Sequence, residues 1–406
     1  MLATKLSHCS DVRMPRKAIS SVVRVVVAVP CLLAAAIFRL GAAESGESAA
    51  LASSIVGLMS NVAQLAKSGD FKAVAELSRT NPAFAAEILT AGLQNAGTNR
   101  AGLIETVLTR NPDQRVTLAT AVATTTTPAQ FQSEVPALLV GLTPAQMVGV
   151  ATKSIPKNPS IAAVISRELG LQSGVPQAKL ADLLVSANPT AAANITSGLM
   201  ASVTGIASDP SVVTGDPLGI AYASIAAAAA ARAPSQAAAI AACPFLIKFA
   251  EAFAPLVTNG ISVTATVAAT VARVVPSQAV GITKAVLESF PSWSSSNFFK
   301  LGVEIVNAVA HSIPAGQRPA IAAAAETAAN GRASDGFSYW ASAESVPFTG
   351  TGPLAERAIA DAKAAVAMPL PQSAPSPSSS SNTAPAKSLP PVTPPVDPTA
   401  NVSRSS

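Results

Sequence analysis

Proline placement constrains this chain more than any other feature of its sequence. Four Asn-Pro pairs (Asn81-Pro82, Asn111-Pro112, Asn158-Pro159 and Asn188-Pro189) and two Pro-Ser-Gln triplets (at Pro234 and Pro276) punctuate long apolar stretches. Proline forces the residue before it out of the α region, which ends any incoming helix. It also suits the first position of a new helix, where its missing N–H is not needed, and asparagine is a favourable N-cap just before it. Each mark therefore predicts helix, sharp turn, helix.

Aligning the chain on these six prolines supports a repeat. Six positions on stand Ile88, Leu118, Ile165, Ile195, Ile240 and Ile282, aliphatic in every case. Three positions on stand Ala85, Arg115, Ala162, Ala192, Ala237 and Ala279, small in all but one. Offsets three and six share a helix face, so that face is the predicted core. The marks lie 30, 47, 30, 45 and 42 residues apart, with Pro144 and Pro319 as weaker members. A unit of 30 fits one helical hairpin, and the longer units leave room for a third helix or for longer ones. The predicted fold is all-α: an irregular helical repeat arranged as a solenoid-like array or, alternatively, a compact helical bundle. Val263 to Val275 is rich in Thr and Val, yet its valines keep helical spacing and it reads as helix. Thr124 to Thr127 reads as a helix end or loop.

The core of such an array must be built from small side chains, since hydrophobic residues make up 49% of the chain and aromatics only 4%. Each contact then buries little area, and stability comes from many modest contacts.

The ends differ from the middle. Residues 1–43 read as a signal peptide or, alternatively, an uncleaved N-terminal anchor. Arg13, Arg16, Lys17 and Arg24 precede the uncharged apolar run Val25–Phe38, and small Gly41 and Ala43 precede a cut before Glu44. That run of 14 is short of the roughly 20 residues that span a bilayer. The organisation expected beyond it is a helical repeat over 44–332, an aromatic irregular segment over 333–352, a terminal helix over 353–368 and a Pro/Ser-rich tail over 369–406. With ten prolines in 38 residues and few apolar side chains, the tail is expected to be disordered or polyproline-like.

Charge and composition argue against several chemistries. Six of the 27 basic residues and one of the 22 acidic ones fall in the first 43, leaving 21 of each in the body. A neutral body without a basic cluster offers no footprint for nucleic acid. Only His311 lies outside the first 43 residues, so a multi-histidine metal site is excluded. Cys243, the one cysteine beyond the leader, has apolar neighbours that raise a thiol pKa and favour a core role. Asp209 and Asp216 precede Pro210 and Pro217 and read as turn starters rather than cation ligands. Thr349-Gly350-Thr351-Gly352 lacks the lysine of a phosphate-binding loop. No catalytic, cofactor or metal residue is assigned, and no cofactor is expected.

The candidate partner-binding residues are Phe337, Tyr339, Trp340 and Phe348, aromatics concentrated in the irregular segment, where they could also cap the end of the array. Trp293 reads as a plug between helices. The function expected is an exported, non-enzymatic scaffold or binding protein of a bacterial cell envelope, periplasmic or extracellular. Its partner would be a protein or another envelope component, and the membrane would enter only through an uncleaved leader. A self-assembling envelope structural protein is the alternative, and a hydrolase using acids assembled by the fold is a third reading.

Overall fold

The computed structural model describes residues 45–203, 216–253, 263–290, 296–329 and 351–372. Among these every regular element is helical. The α-helices are α1 (Ser45–Ser68), α2 (Phe71–Thr80), α3 (Ala85–Asn95), α4 (Arg100–Arg110), α5 (Arg115–Thr125) and α6 (Pro128–Leu139). They continue with α7 (Pro144–Ser154), α8 (Ala162–Gln172), α9 (Gln177–Ala187), α10 (Ala192–Ala201), α11 (Asp216–Arg232) and α12 (Ala237–Ala241). The last are α13 (Pro244–Phe253), α14 (Val263–Val274), α15 (Ala279–Ser289), α16 (Ser296–Ser312), α17 (Arg318–Ala329) and α18 (Thr351–Ala367).

Each of the six prolines opens a three-residue 3-10 turn, and the α-helix proper starts three residues after it. The aliphatic residue six positions on is fully buried in all six units, and the five alanines three positions on are buried with it. The residue before each proline has φ between −123° and −140° and ψ between 61° and 76°, whether it is Asn81, Asn111, Asn158, Asn188, Ala233 or Val275. Proline, common to all six, therefore sets this conformation, and asparagine is an addition to it.

The asparagines do not act as N-caps. None of the four side chains accepts a hydrogen bond from a backbone N–H of the turn it precedes, although Asn158 Oδ1 accepts from the Ser160 hydroxyl at 2.6 Å. Instead the amide Nδ2 donates backward to carbonyls at the end of a helix, two of which, Leu77 O and Leu184 O, also accept the asparagine's own backbone N–H. Asn81 donates to Leu77 O at 2.9 Å, Asn111 to Val107 O at 2.8 Å and Asn188 to Leu184 O at 3.2 Å. Asn158 reaches into the preceding unit and donates to Ala123 O and Thr126 O at 3.1 and 2.9 Å. Three of the four asparagines thus act as donors to the end of the outgoing helix, and Asn158 acts as a donor to the end of α5.

Arg115, the one large residue at offset three, has a similar task. Its Nε donates to Leu108 O at 3.2 Å and its Nη1 to Gly141 O at 3.0 Å. Gly141 turns the chain between α6 and α7 with φ +73°, and a Cβ there would lie 2.2 Å from Arg115 Nη1. Two turns without the proline mark share the register. The turns Gly97–Asn99 and Ala315–Gln317 lead into Arg100 and Arg318, which donate back to Leu93 O and Ala310 O. Leu103 and Ile321, six positions into them, are fully buried.

Helices pack on their next-but-one neighbours, which makes two layers. Layer I runs α1, α3, α5, α7, α9, α11, α14, α16, and layer II runs α2, α4, α6, α8, α10, α12 with α13, α15, α17. Extensive contacts among the described residues do not join α1–α6 to α9–α18. This is the stacking of an array, in which each unit meets only its neighbours. The unit of 47 residues holds the extra helix α6, and the unit of 42 holds α12 and α13, a layer II position broken at Cys243-Pro244. The unit of 45 carries the 17-residue α11. Small residues let neighbouring helices of one layer close up: a Cβ on Gly198 of α10 would lie 2.1 Å from the backbone oxygen of Ala163 in α8.

α18 stands outside the alternation. It lies across layer I, chiefly on α11 and α14, and reaches α9 and α16. No helix among the described residues is long and apolar enough to cross a membrane.

Candidate functional site

Phe337, Tyr339, Trp340 and Phe348 lie outside the described residues, as do Trp293, Asp209 and the segments 1–43 and 373–406. The described surface offers a different candidate, the outer face of layer I.

That face can be read from the repeat register. Ten, seven, six and three residues before the proline mark, α9 presents Lys179, Asp182, Leu183 and Ser186, and α11 presents Ser224, Ala227, Ala228 and Ala231. In α14 the same positions are Thr266, Ala269, Thr270 and Arg273. These spacings lie on one side of a helix. α18 covers this side with an alanine stripe in which Ala355, Ala358 and Ala362 are buried, flanked by half-buried Leu354, Ile359 and Val366. Its ends are fixed by polar contacts. Arg273 pairs with Glu356 near the start, and Lys179 Nζ donates to Val366 O in the last turn. A lysine at a helix C-terminus meets both the free carbonyls and the negative end of the helix dipole. Beside it, Asp182 of α9 pairs with Arg232 of α11.

Toward the N-terminal half none of the described residues covers the same face. Over α3, α5 and α7 it forms an open groove of about 380 Å³, lined by Ala86, Thr90, Val116, Thr117, Thr120 and Lys153, among others. Lys153 occupies in α7 the position of Leu183 in α9 and Ala228 in α11, so the groove continues the seat of α18. Thr90, Thr120 and Thr124 present methyl groups, because their hydroxyls are engaged on their own helices. Thr90 donates to Ala86 O at 2.8 Å, Thr120 to Val116 O at 2.7 Å and Thr124 to Ala121 O at 2.8 Å. Glu87 and the exposed Lys153 and Lys157 supply charge at the margins. The floor is shallow, apolar and made of small groups, a surface suited to laying down another chain segment.

No protein-family model matches the chain, and neither a curated protein nor a solved structure matches it.

The residues weighed for chemistry are dispersed. Cys243 is fully buried with Sγ 3.7 Å from Met200 Sδ, and burial pushes its thiol up to about 11. His311 has Nδ1 2.8 Å from Asn307 O, a contact within its own helix. Among the described residues no three of His, Cys, Asp or Glu come together in an arrangement able to hold a metal ion. The buried carboxylate of Glu134 is bound by Arg100 and accepts from Thr126 Oγ1 at 3.3 Å, which ties α4 to α6. Tyr222 is fully buried against Phe245 and Phe249, edge to face at 5.5 and 5.6 Å, and burial raises its hydroxyl to about 12.

The groove residues were missed from the sequence because small and threonine-rich positions look like filler. One signal was available: four positions after the proline mark the chain has Ala86, Val116, Ala163, Ala193, Ala238 and Val280. None of these is charged, yet the structure leaves every one at least partly accessible.

Proposed function

We propose that the protein is an exported, non-enzymatic helical-repeat scaffold of the cell envelope that holds a polypeptide segment of a partner against the outer face of layer I. The observation that carries this reading is the unequal use of one continuous face. α18 fills its C-terminal half, while the matching half over α3, α5 and α7, with the same alanine and threonine chemistry, is left open by the described residues. Repeat arrays bind through extended surfaces of this kind. The partner segment would be apolar, weakly charged and long enough to cross three helices, about 20 Å at ordinary helix spacing. Export rests on the basic and apolar pattern of residues 1–43.

The test is photo-crosslinking in native cells from Thr90→p-benzoylphenylalanine, together with N-terminal sequencing of the protein from fractionated cells. The reading expects one discrete intermolecular adduct, lost on Thr117→Lys, and a chain that starts near Glu44 in an envelope or secreted fraction. An adduct indifferent to Thr117→Lys would refute the groove, and a full-length cytoplasmic chain would refute export.

A further inference from the structure

We infer that the open half of the groove is occupied by this chain's own Pro-rich tail, so that access of a partner is set by a segment of the same molecule. The inference rests on the reading of the groove as the partner-binding surface and names the segment that competes for it. It starts from the direction of α18. Its first turns lie at α14, where Glu356 meets Arg273, and its last turn lies at α9, where Val366 O meets Lys179. The helix therefore runs along layer I toward the N-terminal half, and the chain leaves it at α9, the next helix in layer I after α7. The chain remains in contact as it leaves: Leu370, three residues past the helix, is half-buried against the core. This course delivers the tail to the mouth of the groove.

The tail contains a segment suited to that floor. Leu389-Pro390-Pro391-Val392-Thr393-Pro394-Pro395-Val396 is its one sustained apolar run. A polyproline helix has three residues per turn and no internal hydrogen bonds, so Leu389, Val392 and Pro395 would form one ridge. Such a ridge needs a shallow apolar track and no backbone ladder, which is what the methyls of Thr90 and Thr120 and the side chains of Ala86 and Val116 provide. Asp397 follows the run, and Lys153 and Lys157 stand at the α7 margin of the groove. An α18-like helix is not an option for this segment, because its prolines would break one.

Reach agrees with the assignment. The 18 residues 371–388 separate Leu370 from Leu389. They span about 23 Å as a flexible coil and about 56 Å as a polyproline helix. From α9 to α5 is two helix spacings, roughly 16–20 Å. A tether whose natural length is close to the span gives an effective concentration in the millimolar range, so even a weak apolar contact would be populated.

The test uses the full chain with Val392→p-benzoylphenylalanine, mixed with isotopically heavy chain of the same sequence. Irradiation is expected to give light-to-light and heavy-to-heavy crosslinks into residues 85–95, 115–125 and 144–157. Thr120→Arg should reduce their yield about tenfold, and Thr117→Lys, at an exposed position, is a second variant should the first disturb folding. Crosslinks that join light to heavy chains would overturn the inference in favour of a second copy as occupant. Crosslinks scattered over layer II, or none in the groove, would overturn it outright. The two readings fail separately. A tail crosslinked to the groove without any Thr90 adduct in cells removes the partner, while an adduct sensitive to Thr117→Lys without tail crosslinks removes the tail.

Discussion

An asparagine before proline can act through its side-chain oxygen, as an N-cap, or through its amide, as a donor. One substitution pair at Asn111 separates the two roles. An N-cap uses the side-chain oxygen, so aspartate would serve as well as asparagine and alanine would cost about 1 kcal/mol. A donor uses the amide, which aspartate lacks. Asn111 is only 5% exposed, with Nδ2 at 2.8 Å from Val107 O and 3.4 Å from Ala75 O. Asn111→Ala removes one full and one weak hydrogen bond and leaves Val107 O without this partner, about 1–2 kcal/mol. Asn111→Asp does the same and adds a buried negative charge facing two carbonyl oxygens, for a total of about 3–4 kcal/mol at pH 7. The predicted order of stability is therefore Asn, Ala, Asp, against Asp level with Asn and ahead of Ala if the residue were an N-cap. The pH dependence has a definite sign. Burial would raise the new carboxyl's folded pKa above its unfolded value near 4, so the folded state binds more protons and stability falls as pH rises from about 4. Below that pH the neutral acid can donate one hydrogen bond, and the aspartate variant should approach the alanine one. Urea midpoints from circular dichroism at pH 4 and pH 7 would measure this, with hydrogen exchange at the end of α4 to localise it, since arrays need not unfold in one step. An aspartate variant as stable as wild type at pH 7 would refute the donor role.

Gly198→Ala places a Cβ 2.1 Å from Ala163 O, a backbone atom that cannot swing aside. It should cost about 1–3 kcal/mol or force α8 and α10 apart, measurable as a lower urea midpoint. Ile195→Ala empties a fully buried position six residues past a proline mark and should cost about 2–5 kcal/mol in the same assay. Cys243 should resist thiol reagents in the folded chain at pH 8 and react at once in denaturant. Its raised folded pKa also means that stability falls as pH climbs from about 9 toward 11. Rapid native labelling would contradict its burial.

The proline register was legible because two requirements coincide in it. The turn fixes where the helix begins, and helical geometry then fixes which residue points inward, so Ile88, Ile165 and Ile195 could be placed in the core from spacing alone. Val263–Val274 was readable as helix for the same reason. The direction of a hydrogen bond was not readable, because an asparagine side chain carries a donor and an acceptor and both uses precede a proline. Arg115 looked like an exception at offset three, since its purpose is a carbonyl of Gly141 that lies 26 residues away. Gly97 and Ala315 were passed over because their turns keep the geometry without the proline that reveals it.

The groove was hidden by a change of phase. In the first two units the proline turn leads from layer II into layer I, so the outer face of α3 and α5 is written four, five and eight residues after the mark, as Ala86, Glu87 and Thr90 or Val116, Thr117 and Thr120. The additional helix α6 reverses the order. From α7 onward the turn leads out of layer I, and the same face is written before the mark, as Lys153, Leu183, Ala228 and Thr270. An alignment on prolines therefore places one continuous surface in two unrelated columns and mixes it with the flank of layer II. The columns that stay pure are those that face the other layer, because a core position is buried whichever layer its helix belongs to. A site spread over the solvent face has no such protection. It becomes visible only when the layers are known, and the course of α18 along layer I is what shows how much of that face is already in use.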